Sequence, residues 1–327
     1  MHKLSAMNRS AVVLGASGYS GGELLRLLDR HAGIEVLAAA GDSAAGEPLG
    51  CVHPHLASLP GEVVTAEEAA GVKADVCFSC LPGGHLAKHL DDLEAELVID
   101  LADDFRAENG WTYGLTEFAR DAVAETNRIA NPGCYPTATL LALLPFARAG
   151  VVEGPVVVDA ISGTSGAGRK PAEHLSLAST GASVTAYGSI SHRHIPEIER
   201  GLQTFGGLET TVSFTPHLAP MSRGLLATVR ARLAGPLSDS EASDVLHEAY
   251  DDEAFIEVRG DWPSTKATTG SNAAHVSARV DARSGWLVCS AAIDNLGKGA
   301  AGQALQNANL ALGLPEGQGL EAAGVWP

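Results

Sequence analysis

A buried strand, a glycine turn and a helix follow one another near the start of the chain, in AVVLGASGYSGGELLRLL. Its glycines are spaced G-x-x-G-x-x-G. The same spacing occurs in plain strand-to-helix turns, but its place at the head of a βαβ pattern favours a dinucleotide site. The free N–H groups and the positive dipole end of such a helix suit a pyrophosphate. The residues expected to contact the coenzyme here are Gly15, Ser17, Gly18, Tyr19, Ser20 and Gly21.

Strand-like and helical runs alternate through residues 1–133 and change character afterwards. Short apolar strands separated by helices predict an α/β fold, a Rossmann-type doubly wound parallel sheet. Residues 134–294 are rich in β-branched residues with alternating faces and predict a second, α+β domain with a mixed, largely antiparallel sheet. In that domain Ser238 and Glu241 have the spacing of a capping box at the start of a surface helix.

Composition and charge limit the partners of this 327-residue chain. Its formal net charge of −17 argues against a nucleic-acid or anionic-membrane partner, because either needs a basic face. No apolar run is long enough to predict a transmembrane helix, and MHKLSAMNRS lacks the apolar region of a secretory signal. Five cysteines do not suggest a disulfide framework. We therefore expect a cytoplasmic protein with a small-molecule substrate.

The stretch RIANPGCYPTATLLALLP places Cys134 behind a Pro-Gly turn, at the start of a predicted helix. The helix dipole at this position favours thiolate and lowers the pKa of a thiol. A structural cysteine near an N-cap is the alternative interpretation. Cys77 and Cys80 form a C-x-x-C inside a strand pattern, without further ligands nearby, so we expect two buried thiols and no metal.

A nucleophilic thiol needs an acid/base partner, and the histidines differ in context. His217 lies between two prolines in FTPHLAPMSRG, and the prolines would hold its imidazole rigidly. A catalytic acid/base needs such a fixed position, but a plain loop histidine is the alternative interpretation. The run His192 to His194 includes an arginine and suggests anion binding or an interface. His53 and His55 flank a proline, and a metal pair there would lack further ligands.

The segment NPGCYPTATLLALLP resembles the active-site signature of the N-acetyl-γ-glutamyl-phosphate reductases, NADPH-dependent enzymes of arginine biosynthesis. Four other segments resemble that family in the same order: GASGYSGGELLRLL, HRHIPEIE, TPHLAPMSRG and DNLGKGAAGQALQN. The likeness extends from about Val12 to Gly313. It implies a substrate and dimerisation role for the second domain and a homo-oligomer, either dimer or tetramer. It also implies that the closing helical segment, 295–327, completes the coenzyme domain.

The same resemblance implies roles for particular residues. Cys134 would be the nucleophile and His217 its acid/base partner, with NADP(H) as the coenzyme. Ser43 would contact the 2′-phosphate, although the adjacent Asp42 is more typical of NAD sites. The residues expected near the nicotinamide are Asn295, Gly297 and Lys298. The residues expected to hold the phosphate and carboxylate of the substrate are Arg106, Ser162, Gly163, Arg169, Arg193 and Glu197. A plain hairpin connection is an equal alternative for the glycine-rich stretch 162–168.

Two other functions compete with this interpretation. Aspartate-semialdehyde dehydrogenases share the predicted architecture and a nucleophilic cysteine, but their cysteine segment typically reads Asn-Cys-Ser, unlike NPGCYPTA. A dinucleotide-binding redox sensor would usually carry a resolving cysteine near Cys134, and none is close in sequence. The expected reaction is therefore reduction of an acyl phosphate through a cysteine thioester.

Overall fold

The computed structural model describes residues 9–327, and the residues divide into two compact units. The first unit extends to Pro132 and includes Ala300–Leu320. The second consists of Gly133–Gly299 and Glu321–Pro327. Most of MHKLSAMNRS, the segment that lacks the apolar region of a secretory signal, lies outside the described range.

The first unit is built on a parallel sheet with strand order β2-β1-β3-β4-β6-β5. Its elements up to Pro132 are β1 (Arg9–Leu14), α1 (Tyr19–Leu28), β2 (Ile34–Ala40), α2 (Leu49–Val52), α3 (Ala66–Ala70), β3 (Ala74–Ser79), β4 (Ala95–Asp100), β5 (Thr112–Tyr113), α4 (Thr116–Ala124) and β6 (Arg128–Ala130). This confirms the predicted Rossmann-type fold.

The central strands of this sheet have continuous apolar cores, such as Ala11–Leu14 of β1, because helices cover both faces of a parallel sheet. Val12 and Leu14 of β1 pack with Cys77 and Val98 of the neighbouring strands in one buried cluster. The leucines of α1, including Leu24, are buried as the 3.6-residue period predicts.

The second unit contains a sheet with strand order β11-β12-β13-β10-β7-β9-β8. Its elements are α5 (Cys134–Arg148), β7 (Val152–Gly163), α6 (Leu177–Thr180), β8 (Thr185–Ala186), α7 (Ile195–Gly206), β9 (Val212–Ala219), β10 (Leu225–Leu233), α8 (Asp239–Tyr250), β11 (Ile256–Val258), β12 (Ala274–Asp281) and β13 (Trp286–Ile293). The last helix of the chain, α9 (Gly302–Ala311), belongs to the first unit. The pairs β7–β9 and β11–β12 are parallel and the other pairs antiparallel. The sheet is therefore mixed and largely antiparallel, as predicted.

Helix α5 is the core helix of the second unit. Its residues from Tyr135 to Ala147 are all buried. A helix that is apolar on every side belongs inside a core. The Tyr250 hydroxyl at the end of α8 donates to the Leu141 carbonyl at 2.6 Å, which joins the two helices. At the start of α8, Ser238 and Glu241 form the predicted capping box.

The end of the chain is divided differently from the expected 295–327 segment. Helix α9 lies in the first unit, where Asn307 bridges the Gly114 carbonyl and the Thr116 hydroxyl. Residues 295–299 belong to the second unit, as do residues 321–327, because the Val325 N–H donates to the Thr269 carbonyl at 2.8 Å. Within residues 9–327, no helix combines the length and apolarity needed to cross a membrane.

Candidate active site

Cys134 is the first residue of α5, and the chain before it is held by a buried carboxylate. Gly133, the N-cap, is extended and leaves the helix without a side-chain cap. The Gly133 N–H donates to Glu197 Oε1 at 2.9 Å, and Glu197 is buried in the first turn of α7. This contact fixes the point at which the half-buried Cys134 enters the helix. Glu197 was predicted to bind substrate; the structure places one of its oxygens on the Gly133 N–H, and the substrate role stays a prediction.

A glycine packs directly against the thiol-bearing residue. A Cβ added to Gly299 would lie 2.8 Å from Cys134 Cβ, so no larger residue fits without a shift. Gly299 lies in a π-helical turn, Gly297–Ala301. The loop that leads into this turn is ordered by Asp294, whose carboxylate accepts from the N–H groups of Gly270, Leu296 and Gly297. Arg223 pairs with the same carboxylate at 3.0 Å. The buried charge of Asp294 therefore holds this loop in a fixed position beside Cys134.

Two tyrosines bring their hydroxyl groups together near the thiol. Tyr135 and Tyr187 are 2.9 Å apart at their hydroxyl oxygens. Burial raises the pKa of Tyr135, and the adjacent Tyr187 and Cys134 raise it further. Burial also raises the pKa of Tyr187, with Cys134 adding to the shift and the Tyr135 hydroxyl and Arg193 opposing it. Both hydroxyls therefore stay protonated at neutral pH and serve as hydrogen-bond donors.

The histidines before α7 belong to the same cluster. The His192 ring lies 5.6 Å from the Tyr135 ring and 5.9 Å from the Tyr187 ring, between centroids. Its Nδ1 accepts the His194 N–H at 3.2 Å, so a neutral His192 carries its proton on Nε2. Burial lowers the pKa of His192, and the charge of Arg193 lowers it further. Sequence reasoning placed only Arg193 of this run at the substrate site. It did not place His192 beside Tyr135 and Tyr187, because the packing of α5, α7 and β9 brings them together.

His217 lies inside β9, between Ile161 of β7 and Ala186 of β8 in the sheet register. Its Nδ1 is 3.3 Å from the Ala160 carbonyl oxygen. Side chains alternate along a strand, so His217 leaves the sheet on the face opposite Phe214. Phe214 packs against Tyr135, with 5.1 Å between ring centroids. None of the described contacts joins His217 to Cys134, and its acid/base role stays a prediction.

The other predicted substrate residues fall in two groups. Ser162 is buried at the end of β7, where it shares a hydrogen bond with Tyr135, and Gly163 packs against the Met221 carbonyl. Arg169 and Arg193 are exposed in the second unit. In the first unit, Arg106 donates to the backbone carbonyls of Leu101 and Asn131, both at 2.9 Å.

The glycine turn of the first unit fits a bound pyrophosphate. Gly15 has φ +74°, and an added Cβ would overlap the Cys80 carbonyl. A Cβ on Gly21 would lie 2.5 Å from the Gly15 carbonyl oxygen. Gly18 is the extended N-cap of α1, again without a side-chain cap. The remaining predicted residues of the turn lie in or beside its helix start: Ser17, Tyr19 and Ser20.

The acidic residue after β2 is used within the first unit. Asp42 Oδ1 accepts the Ala66 N–H at the start of α3, at 2.8 Å. Ser43 is exposed in the same short turn. Asn295, predicted near the nicotinamide, lies in the second unit, where its amide bonds the Gly224 N–H and the Ser165 hydroxyl. Two more residues expected near the nicotinamide, Gly297 and the buried Lys298, lie there too.

The C-x-x-C pair is embedded in the first sheet. Cys77 is buried, and burial, reinforced by the charge of Asp100, raises its pKa to about 12. The same causes raise the pKa of Cys80, which is partly buried by surface area. Both groups are therefore inert thiols. Across residues 9–327, no three His, Cys, Asp or Glu side chains are grouped as a metal site would require.

Comparison with known proteins assigns a class to each unit. Residues 10–126 match a family model described as semialdehyde dehydrogenase, NAD binding domain, and residues 134–295 match one described as semialdehyde dehydrogenase, dimerisation domain. A solved aspartate semialdehyde dehydrogenase II from Vibrio cholerae superposes with a TM-score of 0.75 at 20% identity, covering 94% of this chain and 98% of that one. The fold and site therefore define an oxidoreductase of the semialdehyde dehydrogenase class. Its coenzyme is a nicotinamide dinucleotide, and the dimerisation domain supports a homo-oligomer.

The sequence relatives are more specific. An N-acetyl-γ-glutamyl-phosphate reductase of Acidothermus cellulolyticus is 45% identical over 98% of this chain and 100% of the relative. One of Frankia casuarinae is 47% identical with the same coverage. The chain belongs to the N-acetyl-γ-glutamyl-phosphate reductase family. The family resemblance seen in the sequence is confirmed.

Proposed function

We propose that this chain reduces N-acetyl-L-glutamyl 5-phosphate to N-acetyl-L-glutamate 5-semialdehyde and phosphate, with NADPH, as a step of arginine biosynthesis in the cytoplasm. The observation that carries the proposal is Cys134 at the start of α5, in a chain 45% identical to a reductase of this name. The Tyr135 and Tyr187 hydroxyls beside Cys134 and the neutral His192 ring packed against both tyrosines offer hydrogen-bond donors, which suit a reaction that builds negative charge on oxygen.

The first half of the reaction requires only residues of the second unit. The Cys134 thiolate attacks the acyl carbon, the bond from that carbon to the phosphate oxygen breaks, and a thioester remains. The departing phosphate takes up one proton. That proton comes from water, because a neutral imidazole does not give up its Nε2 proton. His192 is our candidate to assist by donating a hydrogen bond from Nε2–H to the departing oxygen.

The second half reduces the thioester. NADPH, when bound, supplies the hydride that converts the acyl carbon to the aldehyde level. The oxygen of that carbon becomes an oxyanion, which the Tyr187 hydroxyl and the His192 Nε2–H are suited to stabilise. Collapse of the oxyanion releases the semialdehyde and restores the thiolate. The resemblance gives His217 the acid/base role, and we retain it as the second candidate.

The substrate carries two anionic groups, a phosphate and a carboxylate, and arginine binds both. We propose Arg193 for one of them, because its charge already acts on Tyr187 beside the thiol. Ser162 and Gly163 would contribute at the end of β7, and Arg106 and Arg169 remain candidates for the other anion.

We propose that the coenzyme is NADP(H). The glycine turn would hold the pyrophosphate, and Ser43 would donate to the 2′-phosphate. Asp42, the feature typical of NAD sites, already accepts the Ala66 N–H, and this supports the proposal. Dissociation constants for NADPH and NADH, measured by fluorescence titration, test it: NADPH should bind more tightly. We further propose that the homo-oligomer is a dimer or tetramer, which light scattering distinguishes.

Turnover of two acyl phosphates tests the function itself. N-acetylglutamyl phosphate should be reduced far faster than aspartyl phosphate, and equal or better use of aspartyl phosphate would exclude the proposal. Cys134→Ser is the matched variant, because it changes one atom. It should abolish turnover while NADPH binding survives. Binding without turnover in the wild-type protein would instead favour a redox sensor.

A further inference from the structure

The first of the two histidines around Pro54 contacts the glycine turn of the first unit. His53 is 4% exposed, and its Nε2 lies 2.7 Å from the Ala16 carbonyl oxygen. A carbonyl oxygen only accepts, so the imidazole carries its proton on Nε2 and donates it. Ala16 stands between Gly15 and Ser17, inside the turn that fits a pyrophosphate.

The ring of His53 is seated on the backbone of α1. A Cβ added to Gly22 would lie 2.7 Å from His53 Nδ1 and closer still to Cε1. Only glycine leaves room for the imidazole at this point of the helix. The ring of the exposed neighbour His55 lies beside it, with 5.7 Å between centroids and 73° between the ring planes. The imidazole is therefore packed from two sides and aimed at one carbonyl.

The bond to Ala16 determines how the turn presents its amide groups. The Ala16 N–H donates to the Ala40 carbonyl at 2.6 Å, so both backbone groups of this residue are held. In a planar trans peptide the carbonyl of one residue and the N–H of the next point in opposite directions. Fixing the Ala16 carbonyl therefore fixes the direction of the Ser17 N–H, which points away from His53.

We propose that His53 is a positioning residue of the coenzyme site. By donating from Nε2 to Ala16, it keeps the Ala16–Ser17 peptide in the orientation that the turn needs to bind a pyrophosphate. The proposal rests on the proposed function, since it takes this turn as the coenzyme site. It concerns binding alone, because Cys134 and its surroundings belong to the other unit.

Three variants separate donation from packing. His53→Phe keeps an aromatic ring without a donor, His53→Gln keeps an N–H near the position of Nε2, and His55→Phe makes the same change at the exposed neighbour. The NADPH dissociation constant, from fluorescence titration of the full chain, should rise about three- to tenfold in His53→Phe. It should stay within about twofold of wild type in the other two. His55→Phe should keep the wild-type kcat and KM for both substrates. In His53→Phe the KM for NADPH should rise along with the dissociation constant.

Equal losses in His53→Phe and His53→Gln would show that ring packing matters and donation does not, and would overturn the proposal, as would wild-type affinity in His53→Phe. If circular dichroism shows His53→Phe unfolded, Gly22→Ala replaces it, since its Cβ displaces the imidazole. Gly71→Ala is its control, with no neighbour closer than 4.0 Å. Wild-type affinity in Gly22→Ala then refutes the role of His53. Failure of the wild-type protein itself to bind NADPH would instead refute the proposed function.

Discussion

Substituting Gly299 by alanine tests whether the position of the thiol limits the reaction. The new Cβ would lie 2.8 Å from Cys134 Cβ, and 3.2 Å from both the Asp294 carbonyl oxygen and Ile293 Cδ1. Carbon atoms in contact ordinarily lie about 3.5–4.0 Å apart. The Cβ of Cys134 and the loop must therefore separate by roughly 0.7–1.2 Å. Asp294 and Ile293 block retreat of the alanine, so much of this displacement falls on Cys134.

A misplacement of about 1 Å in a reacting group lowers a catalysed rate by about 10²-fold. Overpacking of this size should destabilise the fold by only about 1–3 kcal/mol. The assay is phosphate release from N-acetylglutamyl phosphate in a single turnover without NADPH, because thioester formation requires no coenzyme. We expect Gly299→Ala to release phosphate about 10²-fold more slowly than wild type.

Gly260→Ala is the matched control, because a Cβ there meets nothing within 4 Å, and its rate should equal that of wild type. Folding of each variant is checked by circular dichroism. A folded Gly299→Ala protein that releases phosphate within about threefold of the wild-type rate would refute the argument that this contact positions the nucleophile.

The remaining predictions concern one acid/base group and two buried carboxyls. Phenylalanine at His192 and alanine at His217 are compared in the same single-turnover assay. The variant that removes the group assisting phosphate departure should lose roughly 10²–10⁴-fold. Loss in neither variant would exclude both histidines. Glu197→Leu should lower kcat about tenfold, because it leaves the Gly133 N–H without its acceptor. Glu197→Gln keeps an acceptor oxygen and should lose little activity. Equal losses of kcat in the two variants would contradict this role of Glu197. Burial raises the pKa of Asp100 from 3.8 to about 6, so its contribution to the free energy of unfolding is present below pH 3.8 and lost as the pH rises through 6. In urea titrations, the free energy of unfolding of wild type should fall by roughly 3 kcal/mol over this pH range because of Asp100, and Asp100→Asn should remove this fall. An unchanged pH dependence in Asp100→Asn would contradict the prediction.

Local rules were sufficient for much of the fold. The glycine turn after β1, the stripe of leucines on α1 and the capping box of α8 each depend on residues within a few positions of one another, so the sequence predicts them directly. Cys134 at the first position of α5 belongs with them, because Gly133 and the apolar run after it define that helix end locally. The alternating strands after Arg148 likewise predicted the mixed sheet.

Long-range contacts account for what the sequence did not show. By their position, residues 321–327 were expected to continue the closing segment, but hydrogen bonds to residues near Thr269 hold them in the second unit. The position of Asp42 after β2 suggested a residue that binds the ribose of the coenzyme. In the structure its carboxylate accepts the N–H of Ala66, which lies 24 positions later in the chain. Such contacts carry no periodic signal, so a pattern of spacing does not reveal them.

By itself, the sequence determined the two classes of sheet, the dinucleotide turn and the cysteine at a helix start, because each follows from backbone periodicity or from steric demands on glycine. Only the tertiary structure decided which groups surround that cysteine. Glu197 meets Gly133 from 64 positions away, and Tyr187 meets Tyr135 from 52. The physical reason is that hydrogen bonds and charge act over a few ångströms of space, while the residues that provide them are brought together by packing of the whole second unit.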